Sequence, residues 1–128
     1  AEELREAGIT LPNILLGPVL PGEAAAVAGL NLEAVISSGE ELKRLENAAG
    51  SGKLRIHLKI DTGMGRLGCR PAEAVKTAEL INDSEGAVLA GVCTHFPVSD
   101  SSKKEDIEFT RNQIKTFSEI IGDIILTW

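Results

Sequence analysis

The chain has 128 residues, which is enough for one compact domain and too few for two ordinary ones. Its formal net charge is −6, from 13 basic and 19 acidic residues, and no block of lysine and arginine exists to neutralise phosphates. We therefore expect no nucleic-acid partner. No apolar run approaches the ~18 residues of a membrane span, and the acidic start resembles no secretion signal. The sequence thus predicts no membrane partner and a cytoplasmic location.

The two cysteines, Cys69 and Cys93, do not have the spacing of metal ligands. In a chain without a secretion signal, free thiols are the expected state, because the cytoplasm is reducing. The sequence predicts no disulfide and no metal site.

Short apolar runs alternate with helical patterns along the whole chain. Strands are predicted at residues 13–16, 32–37, 54–61 and 87–96, the third one after a turn at residues 50–52. This alternation is typical of βαβ units, in which successive parallel strands lie side by side. The pattern alone is compatible with half of an eight-stranded barrel and with a small doubly wound sheet.

Capping residues and apolar spacing indicate where the helices lie. Ser38 and Ser102 are each followed three residues later by glutamate, which predicts two N-terminal caps. Pro71 suits a first helical position. The last helix is predicted to end at Gly122, and residues 124–127 are predicted to begin a fifth strand. The predicted buried face of the last helix consists of Ile107, Ile114, Phe117 and Ile121.

The third strand has ionisable residues on one face and apolar residues on the other. His57, Lys59 and Asp61 alternate with the apolar residues 56, 58 and 60. Three ionisable groups on one face of a buried strand are unusual, because each must be paired or lose its charge. A partly solvated strand with internal ion pairs is the simpler alternative.

A glycine-rich segment, GMGRLG at residues 63–68, follows this strand. It has the spacing of a dinucleotide-binding loop, but the next helix begins only at Pro71 and no acidic residue ends the next strand. We favour a tight turn that lets Arg66 point into the space above the sheet. His95 ends the neighbouring strand. Because ligands bind at the carboxyl ends of parallel strands, Arg66 and His95 are expected to converge on one site.

Two motifs resemble the alanine racemase family: HLKIDTGMGRLG at residues 57–68 and GVCTHF at residues 91–96. Residues 13–17 and 35–41 are similar to the two preceding units of that family. The resemblance implies an α/β fold, a partial (β/α)8 TIM-type barrel with about strands three to six and their helices. Residues 1–128 would then be a piece of the N-terminal pyridoxal-phosphate-binding barrel domain, without its first and last strands and without the C-terminal β domain.

The resemblance also implies roles for particular residues around the cofactor, pyridoxal 5′-phosphate. Arg66 matches the arginine that donates to the cofactor's phenolic oxygen and orients the substrate carboxylate. Lys59 matches a lysine that many members carry as a carbamate, which holds that arginine. His95 matches the histidine that supports the arginine facing the pyridine nitrogen. Asp100 matches, more weakly, an acidic residue near the substrate entrance.

The implied function is alanine racemase, which interconverts L- and D-alanine by 1,1-proton transfer and supplies D-alanine for peptidoglycan. The family works as a homodimer. Its two catalytic bases are the lysine that binds the cofactor and a tyrosine of the partner subunit. That lysine would precede this chain, and the chain contains no tyrosine. We therefore expect neither base in this chain, and no activity from the chain by itself.

Three other functions are compatible with parts of this sequence. A broad-specificity or serine racemase of the same fold would share these motifs. A non-catalytic pyridoxal-phosphate-binding protein would lack the lysine on the preceding strand. A metal-dependent barrel hydrolase would use His57, Asp61 and His95, but it would need more carboxylates at the strand ends than this sequence offers.

Overall fold

Four parallel strands form one sheet in the computed structural model, which describes residues 1–50 and 52–127. The strands are β1 (Asn13–Leu15), β2 (Leu32–Ile36), β3 (Leu54–Lys59) and β4 (Ala87–Cys93). They neighbour one another in chain order, so the predicted topology is confirmed. Each predicted strand extends one to three residues too far, because the chain turns into a loop at its carboxyl end.

The helices lie between and after the strands. They are α1 (Glu2–Glu6), a 3-10 turn (Pro21–Glu23), α2 (Ala24–Gly29), α3 (Gly39–Ala49), α4 (Pro71–Asn82) and α5 (Lys104–Leu126). Ser38 caps α3 as predicted, since its Oγ accepts the Glu41 N–H at 3.3 Å. The turn predicted at residues 50–52 includes Ser51, which lies outside the described residues. None of the described helices is long and apolar enough to cross a membrane.

The apolar face of the sheet packs against the helices. Ile56, Leu58 and Ile60 are completely buried, and they share a core with Leu45 of α3 and Ile81 of α4. Burial of each such side chain contributes about 1.5–3 kcal/mol to folding. The alternation predicted for the third strand is therefore confirmed. The other face of β3 is left for its polar side chains.

The last helix is longer than the sequence analysis predicted. It continues through Gly122 to Leu126, so the predicted end at Gly122 and the predicted strand at residues 124–127 are wrong. Ile120 and Ile124 are both buried on either side of the glycine, and this packing outweighs the cost of about 1 kcal/mol that glycine imposes on a helix. Trp128 lies outside the described residues.

Two further details of α5 differ from the prediction. Its N-cap is Lys103 and not Ser102, and the Lys103 N–H donates to Ser101 Oγ at 3.2 Å. Its buried face follows Gln113, Ile120 and Ile124, with Phe117 half-buried between them. The predicted Ile107 and Ile114 are 38% and 47% exposed. The spacing of the buried residues is helical, as predicted. A different face of α5 points inward, and it includes the polar residue Gln113.

Gly122→Ala is expected to stabilise the protein by about 0.5–1 kcal/mol, because a helical glycine is entropically costly and no atom lies within 4 Å of the added Cβ. The matched control is Gly50→Ala at the end of α3, where φ is +68° and an alanine is strained. That variant is expected to be destabilised. Urea denaturation measures both changes, and a loss of stability in Gly122→Ala would mean that α5 ends at residue 122.

Candidate functional site

The carboxylate of Asp61 binds the backbone of the loop that follows β3. The N–H groups of Gly63 and Gly65 donate to its Oδ1 at 2.9 and 3.1 Å, and the Arg66 N–H donates to its Oδ2 at 3.0 Å. Burial alone would raise the pKa of Asp61, but the hydrogen bonds from these amides outweigh it and lower the pKa below its ordinary value. Asp61 therefore remains an anion that fixes the loop.

The end of this loop returns to the sheet beside β3. The Cys69 N–H donates to the Lys59 carbonyl and the Asp61 N–H donates to the Cys69 carbonyl, both at 2.9 Å. Gly68 makes this return possible: its φ is +130°, and a Cβ there would lie 2.5 Å from the Asp61 nitrogen. Hydrogen bonds thus hold both the beginning and the end of the segment between Asp61 and Cys69.

This geometry argues against the dinucleotide interpretation of the glycine-rich segment. The amides of Gly63, Gly65 and Arg66, which a phosphate would need, already donate to Asp61. In addition, α4 begins after the loop, at Pro71, so its N-terminus does not lie within the glycines. The loop carries Arg66, whose side chain is exposed.

Arg66 and His95 follow the ends of neighbouring strands, as predicted. Arg66 lies in the loop after β3 and His95 lies two residues after β4, and both are exposed. Among the described residues, neither side chain has a hydrogen bond or an ion pair. Asp100 is also exposed, in the turn between β4 and α5. The structure thus brings Arg66 and His95 to one edge of the sheet, without direct contact between them.

Lys59 is the last residue of β3 and is half-buried on its polar face. It lines a cavity of about 20 Å³ together with Val35 and Leu67, the neighbour of Arg66. Its partner across the strands is Cys93. Burial raises the pKa of the Cys93 thiol, and it raises the pKa of Cys69 to about 11, so both thiols are protonated at neutral pH. Both cysteines are free, as predicted.

Glu33 of β2 is a buried carboxylate on the polar face of the sheet, in register with Arg55 of β3. Only 5% exposed, it accepts from Arg55 Nε at 2.6 Å and pairs with His57 Nε2 at 2.5 Å. Hydrogen bonds from His57 and Arg55 lower the pKa of Glu33, although burial acts in the opposite direction. The His57 ring fits because position 91 is glycine: a Cβ there would lie 2.7 Å from Nδ1.

The hydrolase interpretation required His57, Asp61 and His95 to act together on a metal. In the described part of the chain, His57 is paired with Glu33 and Asp61 is bound to backbone amides, and no group of three potential ligands forms. The ion pairs of this face join Arg55 and His57 of β3 to Glu33 of β2, and Arg66 stays exposed beyond the end of β3.

The sequence analysis missed Gln113, a buried polar residue of α5 that reaches both loops. Its Nε2 donates to Thr62 Oγ1 at 3.3 Å and to the His95 carbonyl at 3.1 Å. Thr62 and Thr94 join the same two loops through their hydroxyls at 2.8 Å. A signal was available, because Gln113 shares the helical face of Phe117, Ile120 and Ile124.

Comparisons with known proteins agree on one family. The family model described as alanine racemase, N-terminal domain, matches residues 1–125. The alanine racemase of Treponema denticola is 44% identical over 126 residues, which are 97% of this chain and 33% of that protein. The chain thus spans about a third of the length of the curated relatives it matches.

Solved structures agree with the sequence relatives. An alanine racemase of Clostridium difficile 630, in complex with cycloserine, superimposes with a TM-score of 0.83 at 31% identity, covering 95% of this chain and 34% of that one. A histidine racemase of Leuconostoc mesenteroides gives 0.78 at 25% identity, covering 89% and 32%. The predicted fold class, a partial barrel of parallel strands, is confirmed.

Asp61→Asn is expected to destabilise the protein by about 1.5–3 kcal/mol, because an amide offers one oxygen and directs an N–H group at amide donors. Since the folded pKa of Asp61 is lowered, its contribution is complete above the ordinary pKa of 3.8 and is lost as pH falls through the folded pKa. The variant should therefore lose less stability than wild type between about pH 5 and pH 3. Denaturation curves at several pH values measure this, and identical slopes would contradict it.

Proposed function

Since the chain belongs to the family of alanine racemase N-terminal domains, we propose that the complete protein interconverts L- and D-alanine with pyridoxal 5′-phosphate as its cofactor. The observation that carries this proposal is the presentation of Arg66. Its loop is fixed by the Asp61 carboxylate, which binds backbone amides and not the guanidinium. The Arg66 guanidinium therefore has no anionic partner in the described residues. An uncompensated, permanently charged fork of donors suits an anionic ligand.

The donor set fits the cofactor and the substrate in its chemistry. Arg66 would donate to the phenolic oxygen of the cofactor and to the substrate carboxylate, and His95 would support the group that faces the ring nitrogen. When bound, the cofactor supplies an electron-withdrawing ring that acidifies the α-hydrogen of an attached amino acid. The residues of this chain would orient and stabilise charge, and they would not move the proton themselves.

Lys59 is proposed to act as a carbamate. As an ammonium group it would add a second positive charge at the edge of the sheet that presents Arg66, and its partial burial would make that charge costly. A carbamate would reverse the charge and offer Arg66 a charge-assisted hydrogen bond, worth about 1.5–3 kcal/mol. The cavity that Lys59 and Leu67 both line supports this proposal, because it places the lysine beside the loop that carries Arg66.

The remaining parts of the proposal concern the complete protein. Residues 1–128 would be part of its pyridoxal-phosphate-binding barrel domain, followed by a C-terminal β domain in a cytoplasmic homodimer. Asp100, exposed in its turn, would lie near the substrate entrance. The two bases would come from outside this chain, so the chain by itself would not racemise alanine. The D-alanine formed would supply peptidoglycan.

A second candidate is a racemase of the same fold that acts on another amino acid, or on several, serine among them. The similarity to a histidine racemase, with a TM-score of 0.78, supports this second candidate, because racemases of different amino acids share this part of the fold. Arg66 binds a carboxylate, which all amino acids share, and so it does not choose among them.

Racemase activity of the complete protein is the first test. With pyridoxal phosphate, we expect conversion of D- to L-alanine, measured by coupling to an alanine dehydrogenase, with a higher kcat/KM than for serine or histidine. A higher value for either of these would support the second candidate. Cofactor binding without turnover of any of the three would contradict both, and it would indicate a non-catalytic pyridoxal-phosphate-binding protein.

Arg66→Lys in the complete protein is expected to lower kcat about tenfold to hundredfold, because a point charge cannot reproduce the fork of donors. Arg70→Lys, at the exposed end of the same loop, is the matched control and should be close to wild type. Lys59→Ala should also slow turnover, and added short carboxylates should partly restore it by replacing the carbamate. Full activity of Lys59→Ala without any additive would refute the role of the carbamate.

A further inference from the structure

Gln113 is a polar residue buried where an apolar one would be expected. It is 1% exposed, and its face of α5 packs on the loop after β3, since Phe109 and Gln113 are the nearest side chains to a Cβ placed on Gly63. Its Oε1 is buried without a hydrogen-bond partner in the described residues. Burial of an unpaired carbonyl oxygen is unfavourable, so packing alone does not explain an amide at this position.

The orientation of the amide is fixed by its neighbours. Nε2 donates both to the His95 carbonyl and to Thr62 Oγ1, so exchange of the nitrogen and oxygen would set two carbonyl oxygens against each other. The two donations connect the loop that carries Arg66 with the segment that carries His95. Thr62 directly precedes Gly63, whose amide is the first to bind Asp61.

We propose that Gln113 is a positioning residue that fixes the spacing of these two segments. Resting on the proposed function, this deepens it: α5 would hold the backbone of His95 and the first residue of the Arg66 loop, so that both side chains meet one cofactor. An apolar side chain of the same length would fill the space and remove the two donations that connect the segments, while the Thr62–Thr94 hydroxyl bond would remain. Gln113 does not touch the reacting atoms in this account.

The test compares four variants of the complete protein. Gln113→Met keeps the length of the side chain and removes both donations. Thr62→Val removes one acceptor of Gln113 together with the Thr62–Thr94 hydroxyl bond, and it leaves the bond to the His95 carbonyl. Thr94→Val removes the hydroxyl bond and leaves both donations of Gln113 in place. Thr77→Val is the matched control, because Thr77 is a buried threonine of α4 whose hydroxyl donates only to the Glu73 carbonyl.

Amide hydrogen exchange and steady-state kinetics are the two readouts. In Gln113→Met we expect exchange to rise at least about tenfold in residues 62–68 and 94–96 and not in α4 or the sheet, with kcat lowered by on the order of tenfold to hundredfold. In Thr62→Val the rise in residues 62–68 should exceed the rise in Thr94→Val, because both variants lose the Thr62–Thr94 bond and Thr62→Val also loses a bond from Gln113. Thr77→Val should leave both segments and kcat unchanged.

Unchanged exchange in both segments, a uniform rise over the molecule, or an unchanged kcat in Gln113→Met would each overturn the proposal. If Gln113→Met does not fold, the comparison of Thr62→Val with Thr94→Val decides: a larger rise in residues 62–68 and a lower kcat in Thr62→Val support the proposal, and equal values in the two variants overturn it. A wild-type protein without racemase activity would refute the proposed function, and the exchange pattern would still decide whether Gln113 fixes the two segments.

Discussion

Hydrogen bonds between the Asp61 carboxylate and the backbone of residues 63–66 are the constraint on which the candidate site depends. A loop that contains Gly63, Gly65 and Gly68 would be mobile by itself. The Asp61 carboxylate holds three of its amides, and the pairing of Cys69 with the end of β3 fixes its other end. Arg66 therefore projects from a backbone held by hydrogen bonds, and its side chain has no ion pair in the described residues.

Asp61 binds protein groups whereas Arg66 stays exposed, and other charged residues on the polar face of the sheet differ in the same way. Two carboxylates near β3 bind protein groups: Asp61 binds amides, and Glu33 binds His57 and Arg55. Cationic and imidazole groups lie at the strand ends, where Arg66 and His95 are exposed. Because Asp61 and Glu33 are bound to protein groups, neither pairs with Arg66 or His95 in the described part of the chain, although Asp100 is exposed in the turn after β4 and the chain as a whole has a net charge of −6. An edge of this character suits anionic ligands.

The sequence predicted most of the fold because short apolar runs alternate with helical patterns and its loops carry glycine and proline, and β3 also has a clear period-two pattern. It also predicted that Arg66 and His95 lie at neighbouring strand ends. It failed at α5, where buried Ile120 and Ile124 carry the helix past Gly122. It missed Gln113, because the predicted buried face of the last helix was made of apolar residues alone. Hydrogen bonds between distant segments, such as the one from Gln113 to His95, depend on tertiary packing that local patterns do not encode.

The most direct test of this account is an NMR titration of the Asp61 carboxyl carbon, with the amide signals of Gly63, Gly65 and Arg66 followed in the same samples. The account predicts a pKa below the ordinary value of 3.8, and amide shifts that change together with protonation of Asp61. A pKa at or above 3.8, or amide signals that do not respond, would contradict it, because the loop that presents Arg66 would then be held by other contacts.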